Sequence, residues 1–79
     1  MMREFVVITS LHDDKIDSII DRTFKQHGKR VPLQILEEKL LEEVKYQPFV
    51  IYNQRDPLLK VQRENGFRVY RFKDGVVYR

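Results

Sequence analysis

Four cations near the C-terminus, Arg68, Arg71, Lys73 and Arg79, are threaded among aromatic and β-branched residues in the stretch ENGFRVYRFKDGVVYR, Glu64 to Arg79. Arg55, Lys60 and Arg63 come shortly before them. Residues 55–79 hold seven Lys or Arg against three Asp or Glu, whereas residues 1–54 hold eight against nine. The +3 net charge therefore originates in the last third of the chain, and its distribution says more than its size. Cations fixed on rigid elements suit a polyanion, because each one that meets a phosphate releases a condensed counterion. Arg55, Lys60 and Arg63 around a third helix, with Arg68, Arg71 and Lys73 on a terminal hairpin, are the candidate phosphate contacts, and Lys29 and Arg30 can add a neighbouring one. The competing reading takes these charges as solubilising, with Arg71 stacked over Tyr78 across the hairpin as a cation–π pair.

Other chemistry has little to stand on. His12 and His27 are far apart in sequence, and a metal site needs several convergent ligands, so no metal or cofactor is expected. Ser10 reads as a helix cap and Ser18 as a helix-surface residue; neither has a neighbouring base in sequence that would make it a nucleophile. The glycines lie too far apart for a phosphate loop, and the carboxylates of LEEKLLEE read as a solvated helix face. An enzyme is not expected. Seventy-nine residues suit one domain, and the absence of Cys leaves folding to hydrophobic packing and fits a reducing compartment. The apolar runs Phe5 to Ile8 and Phe49 to Tyr52 are too short to span a bilayer, and the N-terminus lacks the charged and apolar regions of a signal peptide. The expectation is a cytoplasmic protein with no membrane partner.

The elements that must position the cations follow from punctuation and periodicity. Phe5-Val6-Val7-Ile8-Thr9 is a β-branched run suited to a strand covered on both faces. Ser10 or Asp13 can cap a first helix carrying Ile16, Ile19, Ile20 and Phe24, which Gly28 ends. Lys29-Arg30-Val31-Pro32 is a connector or minimal strand, since the residue before proline is pushed toward extended geometry. A second helix places Leu33, Leu36, Leu40, Leu41 and Val44 on one stripe, with Ile35 off it. Tyr46 to Asn53 has strand propensity but sits between helices, so a strand and an irregular segment both stay open. Asp56-Pro57 starts a third helix with Leu58, Leu59 and Val61, which stops near Gly66.

Asp74-Gly75 suits a two-residue type I′ turn, which sets Lys73 opposite Val76, Phe72 opposite Val77, Arg71 opposite Tyr78 and Tyr70 opposite Arg79. One hairpin face then carries Tyr70, Phe72 and Val77 with Arg68 and Arg79; the other carries Phe67, Val69, Val76 and Tyr78 with Arg71 and Lys73. Both faces are partly apolar, so something beyond a single helical layer has to cover or use the second.

Helix, connector, helix, helix, hairpin is the winged-helix order of elements. VPLQILEEKL, PFVIYN and DPLLKVQRENGFRVYR with the closing GVVYR resemble the LOTUS (OST-HTH) domain, a small winged-helix-like module, over roughly residues 15 to 79. The resemblance rests on Val31-Pro32-Leu33, Phe49 and Tyr52, Leu58-Leu59, Phe67-Arg68-Val69 and Val76-Val77-Tyr78, and it implies RNA binding or docking on an RNA helicase. Asn53 stands where that family has a glycine, and the N-terminal strand is outside its pattern. The expected architecture is one α+β domain over 1–79, winged-helix-like, with an extra N-terminal strand in 1–10, a helical part over 13–65 and a hairpin wing over 66–79. The expected function is nonenzymatic DNA or RNA binding of a regulatory type, through the third helix and the wing. The alternative is a protein partner or a homodimer, reached through the aromatic hairpin face or the acidic second helix.

Overall fold

The computed structural model describes residues 3–79, so the first two residues of the expected leading segment lie outside it. Eight elements follow one another: β1 (Glu4–Ile8), α1 (Asp14–His27), β2 (Arg30–Pro32), α2 (Leu33–Leu41), β3 (Phe49–Asn53), α3 (Pro57–Glu64), β4 (Val69–Lys73) and β5 (Val76–Tyr78). The five strands form one sheet in the order β2-β5-β4-β1-β3, and every neighbouring pair is antiparallel. The protein is thus α+β, with three helices and a five-stranded antiparallel sheet. The N-terminal strand is no appendage: β1 pairs with β3 on one side and β4 on the other.

Local chemistry explains most of the boundaries. The Asp13 carboxylate accepts from the backbone N–H groups of Lys15 (2.8 Å) and Ile16 (3.4 Å), and Gly28 ends α1 at φ 77°. The Asp56 carboxylate accepts from Leu58 N–H at 2.9 Å ahead of Pro57 in the first turn of α3. Asp74 and Gly75 both have positive φ, 51° and 78°, as a type I′ turn requires, and the hairpin register is the one the turn dictates. The second helix is shorter than its apolar stripe suggests. It ends at Leu41, Glu43 and Val44 both donate to the Leu40 carbonyl, and Leu41 is left exposed. No side chain caps its start, but Leu33 N–H donates to the Gly75 carbonyl at 2.9 Å, tying α2 to the hairpin turn. The open question over Tyr46 to Asn53 resolves as a strand from Phe49, once Pro48 has been passed.

The core fills one side of the sheet. Val6, Ile8, Val31, Phe49 and Val77 point there and meet Ile16, Ile20 and Phe24 of α1 and Leu36 and Leu40 of α2, with Tyr70 and Phe72 packed at its border. Each such apolar side chain contributes about 1.5–3 kcal/mol on burial. The third helix lies on the opposite side: Leu59 is buried outside that cluster, and the Arg63 guanidinium sits 5.0 Å from the centroid of Phe5, whose side chain points away from Val6. Connection direction accounts for this. Strands β2, β3 and β4 run parallel to one another; α2 carries the chain from one sheet edge to the other, and α3 carries it back over β1. Crossovers strongly favour one hand, and two crossovers of one hand travelling in opposite directions must place their helices on opposite faces.

This differs from the winged-helix picture of three helices gathered beside a projecting wing. Here the helices are split between two faces. The hairpin strands β4 and β5 are interior strands of the sheet, because β1 and β2 pair on either side of them.

Candidate nucleic-acid interface

One transverse row of side chains crosses the whole sheet on the face away from α1 and α2. The cross-strand partners are Arg30–Tyr78, Tyr78–Arg71, Arg71–Phe5 and Phe5–Tyr52, so cations and aromatic rings succeed one another from β2 to β3. Directly facing residues share a side, so all five belong to one surface. The Arg30 and Arg71 guanidinium carbons lie 5.7 and 5.9 Å from the Tyr78 ring centroid, flanking it in two cation–π contacts. Lys73 and Val76 form the next row toward the hairpin turn, with Pro32 beyond them.

Helix α3 stands over the β3 side of this face and leaves the β4, β5 and β2 side open. Arg63 stacks on Phe5, whose cross-strand neighbour is Arg71. Lys60 and Arg63 line a depression of about 330 Å³ between α3 and the sheet, with Phe5, Leu59, Gln54 and the Asp56 carboxylate. A second depression of about 530 Å³ toward the β2 edge is lined by Lys29, Arg30, Val69, Arg71 and Tyr78, with Tyr70 and Arg79 reaching it from the covered side, and by no Asp or Glu side chain. Two cationic segments distant in sequence thus come to the same face of the sheet. The charge balance of the molecule sharpens the contrast: eight of its twelve carboxylates fall between Asp13 and Glu43, in the segment that forms the helical layer on the far side.

Of the expected contact residues, the structure brings Arg30, Lys60, Arg63, Arg71 and Lys73 to one face, with Lys29 at its rim. Arg55 sits apart in the exposed turn after β3, where its N–H donates to the Asn53 side chain at 2.9 Å. Arg68 is a correction. Its side chain is 5% exposed; Nε and Nη2 each lie 2.6 Å from Asp17 Oδ1, and Nη1 and Nη2 donate to the Ser10 and Leu11 carbonyls at 3.1 and 3.4 Å. The alternation of β4 turns Arg68 to the helix-covered side, together with Tyr70 and Phe72. Arg79 goes the same way, pairing with Asp21 at 2.5 Å and lying 5.4 Å from the Phe24 centroid.

Tyr70 lies between these two ion pairs, its ring 5.5 Å from that of Phe24. Burial raises its hydroxyl pKa above the ordinary tyrosine value despite the lowering influence of Arg79 and Arg68. The Ser10 hydroxyl bonds to the Tyr46 hydroxyl at 2.7 Å, while His12 Nδ1 faces Asp17 at 3.4 Å. That carboxylate is also the one Arg68 engages, and the hydroxyl partner of Ser10 is Tyr46. Among the described residues no three His, Cys, Asp or Glu side chains converge as metal ligands.

Sequence reasoning missed the aromatic members of the row as parts of the site. Tyr78 was within reach through the type I′ register, which pairs it with Arg71. Phe5 and Tyr52 were not, because nothing local in the sequence says that β1 enters the sheet between β3 and β4. The chain matches no family model, no curated protein and no solved structure.

Proposed function

We propose that this chain is a nonenzymatic nucleic-acid-binding protein of regulatory type, whose contact surface is the open sheet face walled by α3. The observation that carries the reading is the row Arg30–Tyr78–Arg71–Phe5 with Arg63 stacked at its end. Its cations are held on rigid strands by aromatic rings, so little ordering entropy stands against phosphate contact. Half-exposed rings between them give bases a surface for stacking. From the winged-helix and LOTUS-like reading the proposal keeps one geometrical element, a helix and a hairpin that offer cations to the same side. RNA and DNA remain equal candidates within it, since phosphate chemistry is common to both.

The test is fluorescence anisotropy with labelled single-stranded and duplex oligonucleotides over a salt series. Five cations on one face give a log–log salt slope of roughly −3 to −4 if most of them meet phosphates. The quadruple variant K60A/R63A/R71A/K73A, confirmed as folded by circular dichroism, is expected to lose binding. Absence of binding at low salt, or unchanged affinity in that variant, overturns the proposal.

A further inference from the structure

The two edges of the sheet are built differently. Strand β2 has three residues, ends in Pro32 and exposes Arg30, all features that discourage pairing with another chain. Strand β3 has five residues, FVIYN, pairs with β1 in unbroken register without a bulge, and exposes Val50 at 41% and Ile51 at 40%. Gln47 to Gln54 contains no charged side chain, in a chain of which 34% is charged. None of the usual edge protections is present on it.

Hydrogen-bond parity decides which groups this edge offers. Thr9 N–H donates to the Pro48 carbonyl and Gln54 N–H to the Arg3 carbonyl, so residues 48 and 54 of β3 are hydrogen-bonded partners of β1. Such pairs recur at every second residue of an antiparallel ladder, which assigns Val50 and Tyr52 to β1 as well. The N–H and C=O groups of Phe49 and Ile51 and the N–H of Asn53 are therefore left for an outside partner, while the Asn53 carbonyl already accepts from Asp56 N–H at 2.9 Å in the turn to α3. A two-fold axis at Ile51 would make Ile51 its own hydrogen-bonded partner and set Phe49 against Asn53, the same three residues whose groups are unused by β1. No other centre within the strand combines this parity with full overlap.

We propose that β3 pairs antiparallel with β3 of a second copy of this chain, about a two-fold axis passing through Ile51. The inference is independent of the nucleic-acid reading. In this arrangement Val50 lies beside Tyr52 of the second copy on the open face, an aromatic–β-branched pair of the kind that stabilises antiparallel sheets. The two Ile51 side chains meet on the helical side, and no like charges oppose one another. An isologous contact needs a self-complementary patch, and FVIYN is one. The axis is normal to the sheet, so both cationic faces come to the same side of a sheet twice as wide.

Sedimentation velocity and light scattering over a concentration series are expected to report a dimer. Ile51→Lys places two like charges across the axis at a position already open to solvent, and is expected to weaken the dimer about tenfold or more while leaving the circular dichroism spectrum unchanged. A second measurement does not depend on that variant folding. The chain has no cysteine, and hydrogen-bonded antiparallel partners have Cα atoms about 5.5 Å apart, within disulfide reach. Ile51→Cys should then yield a disulfide-linked dimer under mild oxidation, much faster than Leu41→Cys, a comparably exposed position on α2. A wild-type chain that stays monomeric throughout, with I51C cross-linking no faster than L41C, overturns the proposal. A dimer that I51K leaves intact overturns it equally, because the contact would then lie elsewhere.

Discussion

Arg68 and Arg71 lie three residues apart and meet opposite surroundings. On the helix-covered side of the sheet, Arg68 is enclosed and held by Asp17 and two backbone carbonyls; on the open side, Arg71 is exposed and rests against Tyr78. The same division separates Arg79, paired with Asp21, from Lys73. The side-chain period of an extended strand sends alternate cations to α1, whose Asp17 and Asp21 stand one helical turn apart, and the others to solvent. On the covered side a cation acts as an internal fastening between helix and sheet; on the open side it is available to another molecule. Charge counted along the sequence cannot separate these uses, whereas parity can once the covered face is known.

The largest expected effect breaks the covered side. Asp17→Ala leaves Arg68 buried with its charge uncompensated, which costs about 3 kcal/mol, the lower end for a broken buried pair because Asp17 is itself partly solvated. For a chain of this size that lowers Tm by on the order of 10–20 °C, measurable by thermal circular dichroism. Oligonucleotide affinity measured well below that melt should be unchanged. Adding Arg68→Met to Asp17→Ala should recover part of the loss, since an apolar side chain of similar length needs no counter-charge. If the single substitution is harmless, the account of Arg68 as a structural residue is wrong.

A smaller effect exchanges the two sides directly. Arg71→Ala is expected to leave stability within about 0.5 kcal/mol, to weaken oligonucleotide binding several-fold at low salt and to reduce the magnitude of the salt slope by roughly 0.7–0.9. Arg79→Ala should do the converse, costing about 0.5 kcal/mol through its exposed pair with Asp21 and leaving the salt slope alone. Parallel denaturation and anisotropy titrations on the two variants check both halves. Equal loss of binding from both would mean that the partner also reaches the covered side.

The parts of this molecule that could be read from sequence are those fixed by neighbouring residues. Asp13, Gly28, Asp56-Pro57 and Asp74-Gly75 mark their boundaries through caps and left-handed backbone, and the hairpin register follows from its turn. The opposed faces of the hairpin, including the company Arg68 keeps with Tyr70 and Phe72, were also legible by alternation. What alternation could not say is which face the helices cover. That depends on β1 entering between β3 and β4 and on α3 crossing back on the opposite side, both long-range outcomes of packing and crossover handedness. Arg68 therefore looked like a contact residue until Asp17 was placed against it, and Phe5 looked like core until α3 left its ring half-exposed beneath Arg63.

The smallest expected effect concerns Tyr70, because it sets burial against charge on the covered side. Arg79 and Arg68 are both near its hydroxyl and would favour the phenolate, yet each already faces its own carboxylate on α1, and the net result is a pKa raised by burial. A folded-state value above the unfolded one means that the neutral hydroxyl is favoured in the fold. Its contribution to stability is complete below the ordinary tyrosine value of about 10 and is lost as pH rises through the higher folded value. Tyr70→Phe cannot ionise, so the difference in stability between wild type and Y70F should be flat up to about pH 10 and then shift in favour of Y70F. Urea denaturation at a series of alkaline pH values measures that difference. A difference that instead moves toward the wild type above pH 10 would mean that the two arginines outweigh burial, and that the cations of the covered side are less fully matched by Asp17 and Asp21 than the geometry implies.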